Sequence, residues 1–415
     1  MKLKKILILL FLLQIVFTLS MKIFSYIGDD SQELLTRTLQ YFTQEDIDKG
    51  IEYGRRGFFA RIASLLINFI LTGIFVFSPL AIRLEEYLLH KANNRYYPMI
   101  FLFFLTYTAI EFIISLPLQY YFGFVLEHKF GFSNMTFMDW LIYTGKSVLV
   151  GLVVGSFLSI AAAFILKTFE RTWKYILPIG SLVLGLAFSV LAPILITPIF
   201  YDYKPIEEGS LRTKIISLCN HAKITVENVY VINESKYSGH TNAYFTGWGE
   251  NRKIFLYDTL IKNHTEEEVI SVLGHEIGHW KYNHELTFHI GNTIELFFIC
   301  LLLSYIFKKV KEENEFKIKE IYSPSTWPIL FLVVSILGTI TSPFWNTFSR
   351  YQESQADMEA LVLTNDKKSF IDTEIKMARD NKSRLNPHPF TVWYSYSHPM
   401  TIDRIKMAED YQPQK

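Results

Sequence analysis

SVLGHEIGHWK, at residues 271–281, contains two histidines and a glutamate in the order H-E-x-x-H. On an α-helix, residues four apart lie on one face, so His275 and His279 can bind a single zinc ion. Glu276, one position further round, then points toward a water molecule bound to that ion. Thr265 and the three glutamates after it predict a helix N-terminus just upstream. The stretch therefore predicts a helix that carries a zinc-hydrolase site.

Half of the 415 residues are hydrophobic, and they are gathered in long blocks. A helix of about twenty apolar residues can cross the hydrocarbon layer of a membrane while satisfying its own backbone hydrogen bonds. Seven such blocks predict membrane-spanning helices, at residues 6–24, 58–82, 97–123, 146–166, 176–200, 287–307 and 326–348. The first block has no small-residue cleavage site after it, so we expect an uncleaved anchor rather than a signal peptide. The sequence predicts an α-helical integral membrane protein.

Several predicted spans contain polar side chains, namely Asn68, Glu111, Asn292 and Glu295. Each would cost on the order of a few kcal/mol if it faced hydrocarbon, so we expect them to face other helices or water. Pairing between helices and a direct functional role both remain open for them. Their joint presence favours a wet interior.

Residues 201–285 have the character of a small soluble α+β module. Strands are predicted at 229–233, 243–246 and 253–257, with turn signals at 238–239 and 247–249. We expect three antiparallel strands that leave a free edge beside the metal. An extended peptide can add to such an edge by main-chain hydrogen bonds, which suits a protease.

The chain is thereby divided into four segments. The first five spans occupy residues 1–200, and the module that carries the H-E-x-x-H helix occupies 201–285. The last two spans occupy 286–348, and a helical C-terminal segment occupies 349–415.

Two histidines leave the metal site one protein ligand short, because catalytic zinc sites usually have three and keep a fourth position for water. Glu353, just past the last span, is the best candidate for the third ligand. Asp357, one helical turn later, can accept a hydrogen bond from a ligating imidazole. Glu276 would act as the general base. His398 and Arg404 are candidates for stabilising the oxyanion of the reaction intermediate, with a purely structural role as the alternative.

These motifs together resemble the Ste24 type of CAAX prenyl protease, in the M48 family of metallopeptidases. The resemblance covers most of the chain. It rests on HEIGHWKYNH at 275–284, NAYF at 242–245, ESQAD at 353–357, HP at 398–399 with Arg404, EHKFGFS at 127–133 and PILITPIF at 193–200.

The resemblance implies seven transmembrane helices around a large water-filled chamber, with one zinc ion at its inner wall. It implies that His275, His279 and Glu353 bind the zinc and that Glu276 is the base. It further implies that His398 and Arg404 stabilise the transition state and that Asn242 helps to hold the substrate strand.

Substrate and partners follow from the same resemblance. Eukaryotic members cut a prenylated C-terminal CAAX peptide after the modified cysteine, and an HtpX-like quality-control protease of the membrane is the alternative. We expect a monomer that acts on a peptide or a lipidated protein and contacts membrane lipid. A net charge of +1 gives no reason to expect a nucleic-acid partner. A different class, a zinc-binding transporter or scaffold without proteolysis, would not need Glu276 between two metal ligands.

The expected location is the bacterial plasma membrane or the endoplasmic reticulum membrane, and the two signals for orientation disagree. The N-terminus and the loops at 83–96, 167–175 and 308–325 are richer in Lys and Arg than the short loops on the zinc side. The positive-inside rule therefore places the zinc site outside the cytosol. The family resemblance implies a site that faces the cytosol, and we expect the latter.

Overall fold

The computed structural model describes residues 2–247, 252–318 and 320–413, so the predicted turn at 247–249 lies mostly outside the described residues. Within them the chain forms eighteen α-helices and four β-strands. The helices are α1 (Leu3–Ile27), α2 (Gln32–Thr38), α3 (Gln44–Arg56), α4 (Phe58–Phe77), α5 (Leu80–Lys91), α6 (Tyr96–Tyr120), α7 (Glu127–Lys129), α8 (Phe137–Thr168), α9 (Trp173–Leu195), α10 (Thr197–Phe200), α11 (Ser210–His221), α12 (Asp258–Asn263), α13 (Glu266–Lys281), α14 (His284–Glu313), α15 (Trp327–Thr364), α16 (Lys367–Asp380), α17 (Pro389–Ser395) and α18 (Thr401–Asp410). The strands are β1 (Tyr203–Pro205), β2 (Asn228–Ile232), β3 (Ala243–Thr246) and β4 (Lys253–Tyr257).

Seven helical segments are long and apolar enough to cross a membrane, and they contain α1, α4, α6, α8, α9, α14 and α15. This confirms the seven predicted spans and the α-helical membrane fold. Helix α15 runs without interruption across residue 348, where the predicted last span ends, and continues to Thr364. The division of the chain into four segments stays a prediction.

The spans pack closely at one end of the protein. The packed end is a cluster of buried apolar side chains from the N-terminal half of α1, the C-terminal half of α14 and the start of α15. Lys2 pairs with Glu315 at 3.2 Å, so the N-terminus lies at this end. By contrast, the span Trp173–Phe200 has no buried residue in its most apolar window. The side chains of that window are therefore exposed or only partly covered by the rest of the protein.

Of the two roles that the sequence left open for the polar groups within the spans, pairing between helices is observed at Glu295. Glu295 of α14 accepts hydrogen bonds from Thr341 and Trp345 of α15, at 2.7 Å and 2.6 Å. This is pairing between helices. Asn68 and Glu111 are instead exposed and Asn292 is partly buried, so the wet interior stays a prediction.

The sheet of the soluble module has the order β1-β2-β4-β3. The prediction of purely antiparallel strands is wrong, because β2 and β4 are parallel. The physical reason is that β4, with Ile254, Phe255 and Leu256 all buried, takes the central position between β2 and β3. Strand β1 was not predicted; it ends in Pro205, which suits an edge strand. β3 forms the other edge, as the predicted free edge requires.

Helices α13 and α15 lie unusually close to each other. A Cβ atom placed on Gly278 would stand 2.6 Å from Cα of Ala356, and one placed on Gly274 would stand 3.1 Å from Cα of Ala360. Small residues four apart on both helices therefore allow the two backbones to approach. This contact holds the H-E-x-x-H helix against the helix that carries Glu353.

We predict that Gly278→Ala destabilises the protein by about 1–3 kcal/mol, because the added methyl group overpacks a backbone contact. Gly338→Ala is the matched control: it lies on α15 and a Cβ there meets nothing within 4 Å. Thermal unfolding of the detergent-solubilised protein measures both. An unfolding temperature for Gly278→Ala equal to that of Gly338→Ala would contradict the close packing.

Candidate metal centre

Helix α13 presents the H-E-x-x-H residues because its N-terminus is fixed. The Thr265 side chain accepts a hydrogen bond from the Glu268 backbone N–H, and the Glu268 side chain accepts one from the Thr265 backbone N–H. This reciprocal pair confirms the predicted helix start and satisfies two donors that the first turn leaves free. From there the helix continues without a break through His275 and His279.

The structure brings His275, His279 and Glu353 together. Nε2 of His275 lies 3.2 Å from Glu353 Oε2, and Nε2 of His279 lies 3.4 Å from Glu353 Oε1. The two imidazole Nε2 atoms are 3.0 Å apart. Among the described residues, these three form the group whose ligand atoms could hold a metal ion.

The donor set and its spacing fit zinc. Ligand atoms at about 2.0–2.1 Å from a tetrahedral zinc ion lie about 3.3 Å from one another, which matches the separations in this cluster. Glu353 Oε2 is buried and has no hydrogen-bond partner among the described residues. A buried carboxylate oxygen without a partner is costly, and a cation between it and the two imidazoles would remove that cost.

Asp357 holds His275 in place. Its Oδ1 atom lies 2.7 Å from His275 Nδ1, so the imidazole directs Nε2 toward Glu353. Asp357 is fully buried and also accepts a hydrogen bond from Arg404 Nε at 2.7 Å. Arg404 in turn lies 2.7 Å from a carboxylate oxygen of Glu374. Burial raises the pKa of Glu374 to about 7, although the Arg404 guanidinium acts in the opposite direction.

Glu276 lines a cleft of about 540 Å³ together with His279, Trp280 and residues 244–247 of β3 and its end. Burial raises the pKa of Glu276, opposed by the neighbouring His275 and His279. A carboxylate whose pKa is moved toward neutrality is a better general base near pH 7. The cleft thus combines a candidate base, a candidate metal ligand and a free strand edge.

The remaining predicted residues lie around this centre. Nε2 of His398 is 3.5 Å from Glu353 Oε1, and its Nδ1 is 2.9 Å from the Ser397 hydroxyl. Asn242 immediately precedes β3, and its side-chain oxygen accepts a hydrogen bond from the Ala243 backbone N–H. The structure therefore places His398 in contact with the ligand cluster and Asn242 at the beginning of the edge strand.

Two residues near the centre were given no role from the sequence. Nδ1 of His284 is 2.9 Å from Nδ1 of His279. The sequence did contain a signal for this contact, because His284 stands only five positions after His279. Glu374, the partner of Arg404, lies on an amphipathic helix with other charged residues. Nothing in the local pattern distinguishes it from a solvated glutamate.

Comparison with known proteins extends over both parts of the chain. Residues 205–412 match the model of peptidase family M48, and residues 30–202 match the model of the CAAX prenyl protease N-terminal region, described as five membrane helices. The two matches together leave few residues unassigned.

Curated relatives and a solved structure are similar to the chain. The probable CAAX prenyl protease 1 of Schizosaccharomyces pombe is 35% identical over 73% of this chain, which spans 64% of that relative's length. CAAX prenyl protease 1 of Saccharomyces cerevisiae is 30% identical over 74% of this chain and 71% of its own length. A crystal structure of S. mikatae Ste24p superposes with a TM-score of 0.85 at 25% identity, covering 99% of this chain and 100% of that chain.

Proposed function

Since the chain belongs to peptidase family M48 and is a multi-pass membrane metalloprotease, we propose that it is a zinc endopeptidase whose ion is held by His275, His279 and Glu353. The observation that carries this proposal is the convergence of two imidazoles and one buried carboxylate at separations of 3.0–3.4 Å. Zinc bound there would lower the pKa of a coordinated water to about 7 and polarise the scissile carbonyl group.

Glu276 takes the proton from the attacking water and passes it to the amine that leaves when the peptide bond breaks. His398, beside Glu353, is placed to donate a hydrogen bond to the oxyanion of the tetrahedral species. Arg404 makes its close contacts with Asp357 and Glu374, so in this conformation its charge acts on the oxyanion from a distance. Asp357 orients His275.

The substrate binds as an added strand on β3 in this proposal. β3 is an edge of the sheet, and its residues line the same cleft as Glu276 and His279. An extended peptide on that edge would place its backbone carbonyl groups next to the metal ligands. Asn242, at the start of β3, would help to hold the peptide there.

We expect Glu276→Gln to lose at least about a hundredfold in peptide hydrolysis, since general-base catalysis contributes 10²–10⁴-fold, while it retains zinc. Glu267→Gln, an exposed glutamate on the same helix, is the matched control and should remain active. Hydrolysis of a quenched fluorescent peptide and metal analysis measure the two effects. Equal turnover by Glu276→Gln and wild type would contradict the assignment of Glu276 as the general base, and no turnover by either protein would favour a zinc-binding transporter or scaffold.

The substrate class follows from the names of the relatives, which are CAAX prenyl proteases. We expect the protein to release the C-terminal tripeptide from a prenylated C-terminal peptide. In this proposal, the lipid-embedded helices next to the zinc module would receive the prenyl chain while the extended peptide lies on β3.

A farnesylated CAAX peptide should therefore be cleaved with a higher kcat/KM than the same peptide without the lipid. Mass spectrometry of the products locates the cut, which we expect after the modified cysteine. Equal kcat/KM values for both peptides would point instead to an HtpX-like protease that cuts other membrane-associated chains.

The zinc site faces the cytosol in this proposal, as the resemblance to the CAAX prenyl proteases implies. The N-terminus and the loop after α14 lie together at the opposite end of the protein, which would then be the non-cytosolic side. Labelling of a C-terminal tag in intact and permeabilised cells tests this orientation. A tag labelled in intact cells would reverse it.

A further inference from the structure

Nδ1 of His279 lies 2.9 Å from Nδ1 of His284, at the first residue of α14. Two imidazole nitrogens at this distance share one proton, so one is the donor and the other the acceptor. The contact therefore links the protonation pattern of a proposed metal ligand to that of a second histidine. His284 is 6% exposed, so water has little access to this contact and does not compete for the shared proton.

The other nitrogen of His284 decides which ring donates. Its Nε2 lies 3.4 Å from Oε1 of Gln355, the residue directly before Ala356 on α15. With the Gln355 amide in this orientation its carbonyl oxygen can only accept, so His284 carries its proton on Nε2. Its Nδ1 then has a free electron pair and accepts the Nδ1–H of His279. As a result, His279 has a free electron pair on Nε2, the atom that faces Glu353 and His275.

The opposite arrangement is disfavoured at two points. If His284 donated through Nδ1, its unprotonated Nε2 would face the Gln355 oxygen, and two electron pairs would meet. His279 would then be protonated on Nε2 and could not bind a metal through that atom. Tyr282 stacks against the His284 ring, with centroids 5.7 Å apart and planes at 20°, and thus restrains its rotation.

We propose that His284 is a positioning residue for the metal site, and that Gln355, through His284, fixes His279 in the tautomer that binds zinc. This inference rests on the proposed zinc site. The two ligating histidines would then be held by different means, since His275 donates to the Asp357 carboxylate and His279 donates to a neutral imidazole. Gln355 and Glu353 lie on the same helix, so α15 supplies one proposed ligand and, through His284, determines which nitrogen of His279 carries the proton.

Zinc affinity of the full-length protein is the readout, measured by competition with a chromogenic chelator after the metal is removed. We expect His284→Leu to bind zinc about 10–100-fold more weakly, the usual effect of removing a hydrogen-bond partner of a metal ligand. His284→Gln can still accept the His279 proton and should recover much of that loss. Gln355→Glu keeps an acceptor and should stay close to wild type, whereas Gln355→Leu should bind more weakly. His221→Leu, at an exposed histidine outside this network, is the control.

The absorption spectrum of the cobalt-substituted protein gives a second readout, because it reports the geometry of the ligands. We expect it to change in His284→Leu and to return toward wild type in His284→Gln. Wild-type zinc affinity in both His284→Leu and Gln355→Leu would overturn the inference, provided that His279→Ala loses the metal. If His279→Ala also keeps wild-type affinity, the proposed zinc site fails instead. Should His284→Leu not fold, the comparison of Gln355→Leu with Gln355→Glu decides the question.

Discussion

The close approach of α13 and α15 is the constraint on which the rest of the structure depends. Gly274 and Gly278 face Ala360 and Ala356, and no larger side chain fits between the two backbones without a shift. The same helix faces carry the chemistry, because residues three, four and seven apart share one side of a helix. Glu353 lies one turn before Ala356 on α15, and His275 lies one turn before Gly278 on α13. The distance between the ligands is therefore set by the smallest side chains in the contact.

Buried charge is tolerated beside this contact because it is paired. Asp357 is fully buried between His275 and Arg404, and Arg404 also reaches Glu374 on α16. Removing one member of such a group leaves a buried charge without compensation, which costs about 3–5 kcal/mol. The group thus ties the C-terminal segment to α15 and contacts His275, the proposed metal ligand.

Periodic features of the sequence predicted the membrane fold and pointed to His275 and His279 as the histidine pair that the structure brings together with Glu353. The patterns that were used are local: the seven apolar blocks, the H-E-x-x-H spacing and the capping residues of α13. Local patterns can be recognised without knowledge of the tertiary structure. The order of the strands did not follow, because β4 takes the centre of the sheet through burial of Ile254, Phe255 and Leu256 on contact with other elements. The role of Glu374 depends on which helices meet, and the sequence around it does not contain that information, whereas the spacing of His284 from His279 was visible in the sequence. Gly278 and Ala356 illustrate the same limit, since their role exists only where two distant segments touch.

The zinc content of purified Glu353→Ala tests the central claim most directly, namely that packing of α13 on α15 delivers the third ligand to the histidine pair. Wild-type protein should carry one zinc ion per chain. The variant should carry much less after dialysis against a weak chelator, because two imidazoles alone hold the ion loosely. Full zinc occupancy in Glu353→Ala would contradict the account and would require a different ligand.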